Sequence, residues 1–151
     1  MSIAQGPLVH ALYVIMLTCT FAYSLKYGDR PEKYAAWAFV AVSVVSGLVV
    51  YHKRGAFGSL EQGLFAIDVF TWAGLLYLAL TSNRFWPLWA TSFQTIAIVT
   101  HLAVQVDRAI VPTAYALGQG LWAYPILAAL LVGSERCRRI RLHRQEIAAR
   151  F

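Results

Sequence analysis

The chain has 151 residues and a formal net charge of +6, with 59% hydrophobic and only 13% charged residues. That composition is too apolar for a water-soluble domain of this size and points to a chain folded in lipid. Two cysteines are too few for a disulfide scaffold. No CxxC, HExxH, GxSxG, Walker or dinucleotide fingerprint occurs, which removes the strongest sequence signals for an enzyme.

A hydrocarbon core about 30 Å thick takes roughly 20 apolar residues per helix, and five stretches of about that length follow one another. The first, Pro7 to Leu25, has no preceding Lys or Arg and no small-residue cleavage site after it, so it reads as a retained span. It carries His10 near its start and Cys19 in its second half. Gly28 closes it. Asp29 with Glu32 three residues on then resembles a capping box, and Pro31 falls in the first turn, where its missing N–H costs nothing.

The second span, Lys33 to Tyr51, opens on Tyr34 and Trp37, an interfacial aromatic pair, and contains the small-xxx-small pair Ser43 and Gly47. Gly55 and Gly58 mark a turn, with Ser59 and Gln62 as a second capping pattern. The third span, Leu64 to Thr81, holds Asp68 among apolar neighbours. The break Ser82-Asn83-Arg84-Phe85 is so short that spans three and four must be antiparallel neighbours.

The fourth span, Trp86 to Val106, begins with Trp86, Pro87 and Trp89 at the interface and places Thr91, Gln94, His101 and Gln105 on one stripe. Asp107, Arg108 and Pro112 bracket the last span, Pro112 to Gly133. Gly118, Gln119 and Gly120 lighten it, and Pro125 is expected to bend it. The tail beyond carries six arginines, at 136, 138, 139, 141, 144 and 150.

Lys and Arg counts orient the chain. With the tail in the cytoplasm, ten lie inside and three, Lys53, Arg54 and Arg108, outside. The expected fold is therefore all-α: a polytopic bundle of five transmembrane helices in residues 1–133, amino terminus outside, with a basic cytoplasmic tail helix in residues 134–151. The expected location is the bacterial inner membrane. Both cysteines then face a reducing compartment, which argues against a disulfide.

An ionisable group at the centre of a membrane helix costs about 2.5 to 3.5 kcal/mol on insertion scales, so such groups mark candidate sites. The topology brings His10, Asp68 and His101 to the outer half of the bundle, with His52, Glu61 and Asp107 at the outer surface and Gln94 and Gln105 on the His101 stripe. Opposed histidines can ligate haem, a His with an Asp can bind a divalent metal, and Asp68 with His101 can relay a proton. An Asp–His pair also serves simply to satisfy two buried polar groups and set helix register. No catalytic residue is assigned.

Arg136, Arg138, Arg139, Arg141 and Arg144 are candidates for contact with lipid headgroups or a partner, each worth about 1 kcal/mol near anionic lipid. Cys137, Ile140, Ile147 and Phe151 fall at a/d spacing, a stripe suited to docking. Nucleic acid is the weaker reading of these charges. Small size and missing soluble domains favour an accessory or assembly subunit of a larger inner-membrane complex, an energy-converting one included, with membrane-protein partner subunits. The alternative is a membrane protein handling a small molecule, proton, metal or haem through the outer His/Asp group.

Overall fold

The computed structural model describes residues 7–52, 57–106 and 121–150. Within them lie five helices and no strand: α1 (Pro7–Tyr27), α2 (Arg30–His52), α3 (Phe57–Thr81), α4 (Trp86–Val106) and α5 (Ala123–Ala148). Each of the first four packs on its neighbour in the chain. Helix α5 closes the ring by packing on both α4 and α1, with a narrower contact to α2.

Three of these helices are long and apolar enough to cross a membrane, over Leu8–Tyr27, Arg30–His52 and Gln62–Thr81. The expectation of five spans is corrected to three among the described residues. Helix α4 has 21 residues, but Thr91, Ser92, Gln94, Thr95, Thr100 and His101 interrupt its apolar run, and it is not among the three. Residues 112–120 of the fifth predicted span lie outside the described residues and its remainder enters α5; Gly55, Asp107 and Arg108 also lie outside, as do the side chains of Gly58, Ser59, Glu61 and Gln105.

The α1–α2 corner forms as its residues dictate. The Gly28 N–H donates to Ser24 O at 2.9 Å, and the Asp29 N–H donates to Glu32 Oε2 at 3.0 Å, so half of the expected capping box is present. Glycine is required at 28 because a Cβ there would lie 2.6 Å from Ser24 O and 2.7 Å from Glu32 Cβ. Between α3 and α4 the short turn makes the two helices packed neighbours, as its length demands.

The described core gathers at the end of the ring where these two turns lie. Ala35, Ala36, Phe39, Leu75, Trp86, Ala90, Ile126, Leu127 and Leu130 are buried together. Small residues at 35, 36 and 90 let backbones approach, which is how helices associate where lipid removes the hydrophobic driving force between them. Large apolar side chains such as Leu12, Ile15, Val44, Phe70, Tyr77 and Leu80 stay exposed on the outer flanks.

Three local expectations are corrected. Pro125 is the third residue of α5, in a first turn that needs no intrahelical N–H bond. Gly47 is exposed with open space around its Cβ position, so it forms no close contact within the chain. Its neighbour Ser43 instead hydrogen-bonds the Tyr13 hydroxyl at 2.6 Å. Trp86 is 5% exposed and belongs to the core, whereas Tyr34, Trp37 and Trp89 are open, as an interfacial belt would be. The basic tail continues α5, which runs unbroken for 26 residues, about 39 Å at 1.5 Å per residue.

Candidate functional site

Two polar clusters stand at different levels of the bundle. The first joins α3 to α4 around Asp68. Gln94 and His101 are seven residues apart and so project from the same face of α4. Gln94 Nε2 donates to Asp68 Oδ1 at 2.8 Å and lies 3.3 Å from the Asp68 carbonyl. His101 Nε2 meets Asp68 Oδ2 at 2.8 Å. Each carboxylate oxygen thus has a partner from α4, and the edge of Phe65 covers the imidazole at 5.9 Å between ring centroids. Thr91, Gln94 and His101 are all buried, so the expected polar stripe faces protein.

His10 is not part of this group. It is exposed on α1, and α1 does not pack against α4 among the described residues. The ring order of the helices keeps the carriers of His10 and His101 out of direct contact among the described residues. His52 is also exposed, its Nδ1 3.0 Å from Leu48 O on its own helix.

The second cluster lies at the opposite end, where α2, the α3–α4 turn and α5 converge. Glu32 is fully buried. Its Oε1 accepts the Trp86 indole N–H at 2.9 Å, its Oε2 accepts the Asp29 N–H, and Arg84 Nε lies 3.7 Å from Oε1. The Arg84 guanidinium also donates to Asp29 Oδ2 at 2.5 Å and reaches Cys137 Sγ at 3.4 Å. Arg141 approaches the other Asp29 oxygen at 3.3 Å.

Burial pushes the Asp29 carboxyl upward, but the hydrogen bond and charge of Arg84, with Cys137 and Arg141, hold it below its ordinary value. Burial and the nearby Glu32 push the Cys137 thiol up. That cysteine is a buried thiol rather than a nucleophile.

Ligand atoms of Asp29, Glu32 and Cys137 lie within 4.8 Å of one another, a spacing that suits a metal ion. Arg84 already stands among all three, and a guanidinium is permanently charged. The residues present form an arginine-neutralised acid pair and do not fit a metal.

A third set of contacts ties the start of the tail to α1. Ser134 and Ser24 are buried and bonded at 2.9 Å. Tyr23 donates to Glu135 Oε2, which also receives Arg138 at 3.3 Å, while Arg139 reaches Oε1 at 2.9 Å. The Tyr23 and Arg139 hydrogen bonds, with Arg138 close by, pull the Glu135 carboxyl down to about 2. Arg138 further lies over the Tyr27 ring at 5.1 Å.

Of the five candidate arginines, Arg138, Arg139 and Arg141 are therefore engaged within the chain. Arg136 and Arg144 have no carboxylate partner among the described residues. Sequence reasoning treated Asp29 and Glu32 as caps and Arg84 as a topology signal, and missed that the three form one network with Trp86. The available signal was opposite charge: two acids at one inner turn, and arginines at the other inner turn and in the tail.

No protein family, no curated protein and no solved structure matches this chain. The functional reading rests on its own geometry.

Proposed function

We propose that the chain is a small integral membrane subunit that supports the assembly or stability of a larger membrane complex and performs no chemistry itself. In this reading the chain is embedded in the bilayer with its tail in the cytoplasm, and the bacterial inner membrane is its setting. The observation that carries it is the end of α5. From Arg139 to Ala148 every residue of the helix is exposed, and Ile140, Leu142 and Ile147 hold apolar surface open among the arginines. A helical segment this short is marginal in water, so the arrangement suits a surface that covers it.

Two further features support the reading. The acids of the inner cluster are saturated by Arg84, Arg141 and Trp86, which leaves a rigid joint rather than a reactive centre. The outer flanks of α1, α2 and α3 present continuous apolar side chains to lipid or a neighbouring subunit.

Purification in mild detergent followed by mass spectrometry of proteins and cofactors tests it. A stoichiometric larger complex, lost on combining Ile140→Glu with Ile147→Glu, supports the reading. A lone oligomer of this chain carrying a bound small molecule overturns it.

A second reading has one observation in its favour: Asp68 and His101 are two ionisable groups bonded inside a membrane bundle, the arrangement used by proton relays. Proton flux into liposomes holding the purified chain, abolished by Asp68→Asn, would shift the assignment to it.

A further inference from the structure

A groove of about 500 Å³ lies between α4 and α5, within the size of sites that hold small ligands. We infer that this groove binds one anionic phospholipid, its acyl chain along α4 and α5 and its phosphate at Arg136 and Asn83. The inference rests on the membrane reading above and adds a defined ligand to it.

The groove exists because α5 is stripped of bulk on this side. Ala128, Ala129 and Gly133 line it, facing Trp89 and Phe93 of α4. At Gly133 an added Cβ would fall 2.2 Å from Trp86 Cδ1, so the buried indole forms the floor. Side chains that border it, Trp89 at 54% and Val132 at 67%, are open to the surroundings, so the groove is entered from the flank of the bundle as a lipid would enter.

Polarity along the groove is graded. Pro125 and Phe93 lie at one end, and Asn83, Arg84 and Arg136 at the other. From Pro125 to Arg136 the helix rises about 16 Å, and the cationic end is the one from which the basic tail emerges. Basic pockets between membrane helices on the cytoplasmic side are suited to anionic headgroups.

Charge selects the ligand. The Arg84 guanidinium is already matched by Asp29 and Glu32. Arg136 has no carboxylate among the described residues, and no acid lines the groove. A phosphate supplies the counter-charge that Arg136 lacks, while a zwitterionic lipid would bring its own cation beside it.

Native mass spectrometry of the full chain released from nanodiscs of mixed phosphatidylglycerol and phosphatidylcholine tests this. The wild-type chain is expected to retain one phosphatidylglycerol in preference to phosphatidylcholine. Arg136→Gln should lower that retention about fivefold, and Lys33→Gln, an exposed cation outside the groove, should leave it unchanged. Ala129→Phe should expel lipid of either kind, with Val132→Trp as a second block should the first variant misfold. Equal retention of both lipids, or an equal loss in Lys33→Gln, overturns the site and leaves the membrane reading intact. A chain that stays dispersed in buffer without detergent overturns the membrane reading itself.

Discussion

The indole N–H of Trp86 donates to Glu32 Oε1 at 2.9 Å, and both side chains are withdrawn from solvent. This bond joins α4 to the first turn of α2 at the point where Arg84 and Asp29 also meet. Trp86→Phe keeps an aromatic side chain but loses the indole donor and part of the buried ring volume, leaving a buried carboxylate oxygen short of a partner. The thermal midpoint in detergent should fall by the equivalent of about 1–3 kcal/mol. Glu32→Ala should cost more, about 3–5 kcal/mol, because it strips Arg84 of a partner as well. Equal and small losses for both would show that the network contributes little.

Two glycines should respond in opposite ways to alanine. At Gly133 the new methyl would collide with the Trp86 ring, and overpacking of this kind costs about 1–3 kcal/mol. At Gly47 there is nothing within 4 Å, so Gly47→Ala should be neutral or raise stability by about 0.5–1 kcal/mol through helix propensity. Thermal melts of the two variants side by side decide it.

Asp68 and His101 should behave as a unit. Asp68→Asn and His101→Gln, made singly and together, should show a coupling of about 0.5–3 kcal/mol in a double-mutant cycle. Additive effects would mean that the 2.8 Å contact does not link α3 to α4 energetically.

The clasp between α1 and the tail should be acid-labile in a particular window. Glu135 is drawn from an ordinary value of 4.5 to about 2 by Tyr23 and Arg139. A depressed carboxylate contributes stability that is complete above its unfolded value and fades as pH falls through its folded one. Wild type should therefore exceed Glu135→Gln in melting temperature at neutral pH, and the difference should shrink from pH 4.5 toward 2. A gap that stays constant over that range would assign the effect to packing.

The orientation has its own check. A cysteine added after Phe151 should resist an impermeant thiol reagent in intact cells and react once the membrane is opened. Labelling in intact cells would place the six tail arginines outside, against the positive-inside bias.

Much of this protein was legible in its residues. Helix positions follow from apolar length and from Gly28, Pro31 and Pro87, because in lipid every backbone N–H must be bonded within its own segment. That Gln94 and His101 share one face of α4 was visible in their spacing of seven, since periodicity alone puts those side chains together, whereas Asp68 was matched to His101 only by its depth in the next helix. Glu32, Arg84 and Cys137 were not legible as a group. They are separated by 52 and 53 positions in the chain, and nothing local in any of them indicates which helices meet at that end of the ring.

By itself the sequence determined the all-α class and the polar stripe of α4, both of which depend on forces acting within one segment. The tertiary structure decided that His10 stands apart from His101, that Arg84 neutralises a buried acid pair, and that Trp86 lies under Gly133 rather than in an interfacial belt. Those outcomes depend on the order in which helices close the ring, and that order is set by which surfaces fit together.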